Sequence, residues 1–198
     1  MKCNVHRNPI WIEKMKIIPT KIEGLLIIEP RVFKDPRGYF FESYSKKSFD
    51  KEVKEVDFVQ DNESCSSRGV VRGLHFQKPP FSQAKLVRCV RGSVLDVAVD
   101  LREGSLTYGE YVAVELSEDN HLQFFIPKGF AHGFEVLSEI AVFQYKCDEY
   151  YHPESEGGID PFDNSLSICW HTNKASAIVS DKDRQHPKFA EFETPFKQ

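Results

Sequence analysis

The sequence predicts an all-β protein, an antiparallel sandwich or barrel with short peripheral helices, and three observations lead there. Between about residues 25 and 150, short apolar or alternating runs are separated by turn signals, the pattern of a multi-stranded antiparallel fold. Helical periodicity is weak everywhere except over residues 45–53. No repeat of fixed period and no Pro/Gly/Ser linker divides the 198 residues, so one domain over residues 15–198 is expected, preceded by a dispensable prefix, residues 1–14.

In chain order, the run Met15-Lys16-Ile17-Ile18 is strand-like, as is Leu25-Leu26-Ile27-Ile28. Asp35-Pro36-Arg37-Gly38 combines three turn-forming residue types and leads into Tyr39-Phe40-Phe41-Glu42. Ser45 is placed to cap a short helix over residues 45–53, because its hydroxyl can accept a free N–H of the first turn. Further strands are expected at 84–90, 94–101, 111–116, 122–126 and 140–146. In the second of these, Leu95, Val97, Val99 and Leu101 fall on one face, with Asp96 and Asp100 on the other. Beyond Tyr151 the pattern loosens into loops rich in Pro, Asp and Ser, with one strand expected at 166–170 and a terminal segment from Asp181. Aromatic residues reach 13%, including 16 Phe, so rings are expected to fill or floor the interior.

Composition narrows the function classes. The charge is −4, from 26 Lys and Arg against 30 Asp and Glu, with no basic block, which disfavours nucleic acid and anionic membranes as partners. An anionic ligand must therefore be met by locally placed Arg and Lys. No uncharged apolar run approaches the roughly 18 residues of a membrane span, so a soluble protein is expected. Cys3, Cys65, Cys89, Cys147 and Cys169 are odd in number and lack C-x-x-C spacing, which argues against a disulfide framework and a zinc knuckle. Residues 1–14 contain Lys2, Arg7, Glu13 and Lys14 without an apolar stretch, unlike a secretory signal; with the thiols this points to the cytoplasm. The alternative for the prefix is a strand docking through Ile10, Trp11 and Ile12.

Three segments stand out chemically. In Arg72-Gly73-Leu74-His75-Phe76-Gln77, strict alternation would aim Arg72 and His75 to opposite faces, so one cavity can use both only if Gly73 sits at a bulge. The alternative is a core histidine satisfied by a neighbour and a surface arginine. In Phe58-Val59-Gln60-Asp61-Asn62, Gln60 and Asn62 share a face with Phe58, which suits a polar cavity or a solvated outer face. Pro127-Lys128-Gly129-Phe130-Ala131-His132-Gly133 resembles the second half of the cupin signature, a turn that delivers a histidine into a small barrel. A metal-dependent cupin also needs His-x-His, yet here the upstream segment is His75-Phe76-Gln77, so a resident metal is disfavoured.

These segments join others in a recognisable order. Asp35 to Glu42, Gln60-Asp61-Asn62-Glu63-Ser64, Arg72-Gly73-Leu74-His75, Lys85-Leu86-Val87-Arg88, Pro127 to Gly133, Tyr145-Lys146-Cys147 and Ser180-Asp181-Lys182-Asp183 resemble the dTDP-4-dehydrorhamnose 3,5-epimerase family over about residues 16 to 190. The resemblance implies an antiparallel jelly-roll, cupin-like barrel, a homodimer without a cofactor, and action on a nucleotide-linked 4-keto-6-deoxyhexose. By the match, His75 is the base, Asp183 its orienting partner, Lys85 the stabiliser of the enolate oxygen and Tyr145 the proton donor. Arg37, Glu42, Gln60, Asn62, Arg72, His132, Glu156 and Lys182 match substrate-binding positions, and Phe40 is implied as a stacking surface for the base. Arginine forks suit a pyrophosphate and explain how a net-negative chain can bind an anionic nucleotide. Without the resemblance, Lys85 reads as a snorkelling surface lysine and Tyr145 as an ordinary strand tyrosine. The chain departs from the family at Phe76, where tyrosine is common, and in the loop Gly157 to Phe162. These departures leave open whether both C3 and C5 or only one centre is inverted and whether the nucleotide is dTDP or another; the alternatives are a 3-epimerase, a ketoisomerase on a related 4-keto sugar, and a non-catalytic sugar-binding barrel.

Overall fold

In the computed structural model, which describes residues 15–197, the alternating runs become strands; the expected prefix 1–14 lies outside the described residues. The strands are β1 (Lys16–Pro19), β2 (Leu26–Glu29), β3 (Phe33–Asp35), β4 (Gly38–Phe40), β5 (Gln60–Ser67), β6 (Val71–Gln77), β7 (Lys85–Arg91), β8 (Ser93–Asp100), β9 (Tyr111–Ser117), β10 (Gln123–Ile126), β11 (Phe130–Val136), β12 (Ile140–Cys147) and β13 (Glu156–Gly158). They pair as a six-stranded sheet, β1-β2-β10-β7-β12-β5, and a five-stranded sheet, β13-β6-β11-β8-β9. Every ladder is antiparallel, and the non-sequential neighbours are those of a jelly roll, in which facing sheets exchange strands.

Between the sheets lies the main core, with Val87, Phe124, Phe134, Phe143, Leu116 and Val94 among its buried members. The outer faces are covered as well. On the six-stranded sheet, helix α1 (Lys46–Glu52) presses Phe49 against Leu86, Ile28 and Phe125, with edge-on ring contacts to Phe58 and Phe125. Ser45 caps this helix as its position predicts, accepting from the Ser48 N–H. On the five-stranded sheet, Val97, Val99 and Leu101 are covered by the C-terminal segment through Leu166 and Phe196. The apolar face of β8 therefore looks outward under a lid of chain, and its other face, carrying Asp96 and Asp100, is fully buried. A polar strand face at zero exposure requires dedicated partners.

The strand expected at 166–170 does not form; these residues make turns and irregular chain. Leu166, Ile168 and Trp170 are apolar because they anchor the cover. Local bonds satisfy the backbone instead of a ladder: Leu166 N–H donates to the Asp163 carbonyl, and the Trp170 indole N–H to that of Pro161. The terminal segment contains α2 (Asp181–Arg184), capped by the Ser180 hydroxyl, which accepts from the Asp183 N–H.

Candidate active site

At one end of the barrel the inner face turns from apolar to polar. Antiparallel partners share a face, so register identifies the rows: Gln60, Cys147 and Lys85 form one, and Asn62, Tyr145 and Val87 the next. Across the barrel, His132 on β11 lies between His75 on β6 and Ala98 on β8. The resulting cavity, ≈ 360 Å³, is lined by His75, Phe76 and Gln77 from β6, Lys85 from β7 and Tyr145 from β12. Gln60, Asn62, Gln83, Tyr151 and Glu156 complete it. A second depression, ≈ 310 Å³, with Arg88, Gln123 and Gln144 among its lining residues, has neither a histidine nor a carboxylate in its wall.

Gly73 makes the cavity possible. Between the pairs His132 with His75 and Phe134 with Arg72 the register shifts, so two residues, Gly73 and Leu74, face the single Gly133. This is the bulge named as the condition for Arg72 and His75 to serve one cavity. Gly73 has φ +128, and a Cβ there would lie 2.6 Å from Gly133 Cα, so no larger residue fits. The bulge also turns the Gly73 N–H toward Asp183, whose Oδ2 accepts it at 3.2 Å.

The other carboxylate oxygen of Asp183 takes the His75 Nε2–H at 2.8 Å. With Nε2 committed, the lone pair of neutral His75 sits on Nδ1. Burial alone would raise the Asp183 carboxyl, but the bond to His75, that ring's charge and the Gly73 N–H together hold it below the usual range. It is therefore ionised at neutral pH. Asp183 is 4% exposed, whereas 31% of the His75 side chain is open to solvent.

Five more groups surround the polar end: Tyr145, Lys85, Cys147, Asp96 and His132. Burial pushes the Tyr145 phenol up, so it remains a protonated acid at neutral pH. Burial pushes the Lys85 ammonium down, with Cys147, Asp96 and Glu156 opposing. Cys147 is itself raised by burial to about 11 and is a neutral thiol, and burial pushes the Asp96 carboxyl up as well; at Glu156 the bonds from Lys182 and Tyr151 outweigh burial, so Glu156 supplies the negative charge. Lys85 also keeps part of its side chain accessible, which limits the loss of its charge. Its Nζ stands 5.8 Å from the centre of the Tyr145 ring. Below them, Asp96 Oδ2 accepts from His132 Nε2 at 2.9 Å, and Asp96 Oδ1 is buried with no hydrogen-bond partner. Burial pushes His132 down, so it donates as a neutral ring.

The chain matches the family model described as dTDP-4-dehydrorhamnose 3,5-epimerase over residues 19–191. It belongs to that family. A dTDP-4-dehydrorhamnose 3,5-epimerase of Escherichia coli (strain K12) is 53% identical over 172 residues, which cover 86% of this chain and 92% of that protein. The crystal structure of the Elizabethkingia anophelis NUHP1 dTDP-4-dehydrorhamnose 3,5-epimerase superposes with a TM-score of 0.85 at 53% identity, covering 89% of this chain and 97% of that one. A dTDP-6-deoxy-D-glucose-3,5-epimerase of Legionella pneumophila Philadelphia 1, solved with dTDP-4-keto-L-rhamnose, gives 0.87 at 47% identity, covering 92% and 96%. The jelly roll that the resemblance implied is the fold of this chain.

Of the residues singled out from the sequence, His75, Lys85, Tyr145, Gln60, Asn62 and Glu156 line the one cavity. Asp183 adjoins it through His75, and His132 through the strand register. Lys182 reaches it through Glu156, whose Oε2 also accepts from the Tyr151 hydroxyl at 2.7 Å. Arg72 donates to the Ser66 hydroxyl at 3.1 Å, is exposed, and does not line the cavity. Arg37 and Glu42 do not reach the cavity of their own chain. Strands β3 and β4 form a separate two-stranded ribbon, where Arg37 bonds Asp35, Phe40 is 70% exposed and Glu42 accepts from the Ser48 hydroxyl. Asp96, Gln77 and Gln83 were missed as site residues. Asp96 carried a signal, an acid inside an otherwise apolar strand; the others had none.

Proposed function

We propose that the protein inverts C3 and C5 of a dTDP-linked 4-keto-6-deoxyhexose in deoxysugar biosynthesis leading to rhamnose, without a cofactor. The observation that supports this most is the placement of a histidine–carboxylate pair and a protonated tyrosine on facing sheets around one cavity. Epimerisation beside a ketone needs that arrangement. A base removes the carbon-bound proton from one face of the sugar, and an acid returns a proton to the other.

His75 Nδ1 takes the proton, and the ionised Asp183 stabilises the imidazolium that results. The electron pair moves onto the C4 oxygen, where the Lys85 ammonium stabilises the enolate. Tyr145 then protonates the carbon from the opposite wall, and solvent restores both groups. Gln60, Asn62 and Glu156 offer donors and acceptors to the sugar and nucleotide, and Arg72 offers its guanidinium to the pyrophosphate. His132 acts from beneath His75, and Lys182 through Glu156.

Arg37 and Glu42 bind substrate only if their ribbon reaches the cavity of another subunit, and a homodimer provides one. The exposed Phe33, Tyr39 and Phe40 on that ribbon support such a contact. No helix of the described residues is long and apolar enough to cross a membrane, and Cys65, Cys89, Cys147 and Cys169 are free thiols, which supports a cytoplasmic site of action. Incubation with dTDP-4-keto-6-deoxyglucose, with the product stereochemistry read by NMR, tests the activity. Inversion at both centres is expected, with loss of more than about 10²-fold in His75→Ala. A migrated carbonyl would establish a ketoisomerase, inversion at C3 alone a 3-epimerase, and an unchanged sugar a binding protein.

A further inference from the structure

Beside the His75–Asp183 pair stands a third side chain that proton transfer does not use. His186 follows Asp183 by three residues, just beyond the end of α2, and 11% of its side chain is exposed. Its Nε2 is buried without a hydrogen-bond partner, 3.7 Å from Asp183 Oδ1 and so beyond hydrogen-bond reach. The ring stands edge-on to His75, with centroids 5.6 Å apart. It fits only because residue 158 is glycine: a Cβ there would lie 2.3 Å from His186 Nε2. Gly158 pairs with His75 in the β13–β6 ladder, so one sheet edge holds both rings in place.

One ligand atom from each of His75, Asp183 and His186 lies within 4.8 Å of the other two. Two imidazoles and a carboxylate form a zinc-type donor set, with bonds of about 2.0–2.2 Å and hence donor separations of roughly 3.3–3.4 Å in a tetrahedron. The separations of 2.8 Å and 3.7 Å from Asp183 bracket that spacing, so opposite shifts of the two rings, on the order of 0.5 Å each, complete the site. Asp183 Oδ2 stays fixed by the Gly73 N–H, an outer-shell bond that orients the ligand oxygen. The open side of His75 gives entry from the cavity and room for a water as fourth ligand. Burial, and next the nearby His75, push His186 down, which keeps it neutral as ligation requires.

We propose that His75, Asp183 and His186 form an inhibitory site for a zinc-type divalent ion. The inhibition rests on His75 being the base. A metal on Nε2 leaves the single proton of the neutral ring on Nδ1, the nitrogen that must accept the substrate proton, and takes the Asp183 oxygen that would stabilise the imidazolium. No net proton is gained or lost; the tautomer changes and the base is blocked.

Zn2+ titrated calorimetrically into chelator-stripped protein should bind at one ion per chain, and epimerase turnover should fall more than about tenfold as the site fills, returning on chelation. Co2+ used as a probe should give d–d absorption without a thiolate charge-transfer band, which separates this site from the exposed Cys65 and Cys169. His186→Phe and His186→Gln, each checked for folding by circular dichroism, should lose metal affinity by at least about tenfold while metal-free turnover stays within about twofold. Absence of stoichiometric binding to the wild type, or wild-type affinity in both variants, would overturn the site. A stripped protein that is inactive yet binds Zn2+ through His186 would overturn the activity and leave the metal site; full activity untouched by Zn2+ would do the reverse.

Discussion

Asp183→Asn removes one negative charge and almost no volume, which isolates the electrostatic half of the proposed base. The asparagine carbonyl can still accept the Gly73 N–H, so the bulge at β6 should persist. What disappears is the charge-assisted bond to His75 at 2.8 Å. Such bonds contribute about 1.5–3 kcal/mol net. The contribution grows as His75 gains a proton, because opposite unit charges about 4 Å apart attract by about 4 kcal/mol at an effective dielectric of 20. A barrier raised by about 2–4 kcal/mol slows turnover roughly 30- to 1,000-fold. Asp183 does not line the cavity, so KM should move by less than about threefold. The assay follows product formation and deuterium wash-in from D2O together by NMR. Both should fall in parallel, because enolate formation is the step that suffers. Wild-type exchange in a folded Asp183→Asn protein would refute the assignment of His75 and Asp183 as the working pair.

Tyr145→Phe should still form the enolate, taking up solvent deuterium beside the C4 ketone with largely retained configuration while net inversion falls sharply; inversion at the wild-type rate would pass the donor role to another group, with Tyr151 in the same cavity the first to test. Glu156→Gln removes the ionised carboxylate that helps keep Lys85 charged, so the alkaline limb of the kcat profile should move to lower pH, and an unmoved limb would separate Glu156 from Lys85. Asp100 reports on the fold. Burial opposes its charge, but Arg102 at 2.7 Å and the Ser105 and Thr107 hydroxyls outweigh it and bring the carboxyl to about 2. A folded value below the unfolded one stabilises above the unfolded pKa and is lost as pH falls through the folded one. About 2 kcal/mol should therefore drain away between roughly pH 4 and 2. Urea midpoints should show that slope in the wild type and not in Asp100→Asn; equal slopes would locate the acid sensitivity elsewhere.

Local chemistry made much of this protein legible from its residues in order. Alternation identified most of the strands because a half-buried pleated surface imposes period two wherever one face meets a core. Ser45 located α1 because a capping hydroxyl acts within its own turn. The alternation of Arg72 and His75 made a bulge at Gly73 the condition for both to serve one cavity, and only the strand register decided that the bulge is there. Where the outcome depended on contacts distant in the chain, the residues alone fell short. The apolar run at 166–170 looked like a strand, but it anchors a cover and has no partner to pair with. Asp96 sat on the polar side of an alternating strand, and only sheet packing placed that side inside the barrel, where its carboxyl accepts from His132. Arg37 and Glu42 carry the motif, yet their ribbon joins neither large sheet, so their distance from His75 within one chain is a matter of tertiary path. His186 gave no signal at all. Its meaning depends on Gly158 lacking a side chain and on β13 pairing with β6, because only that approach leaves a buried ring nitrogen facing Asp183.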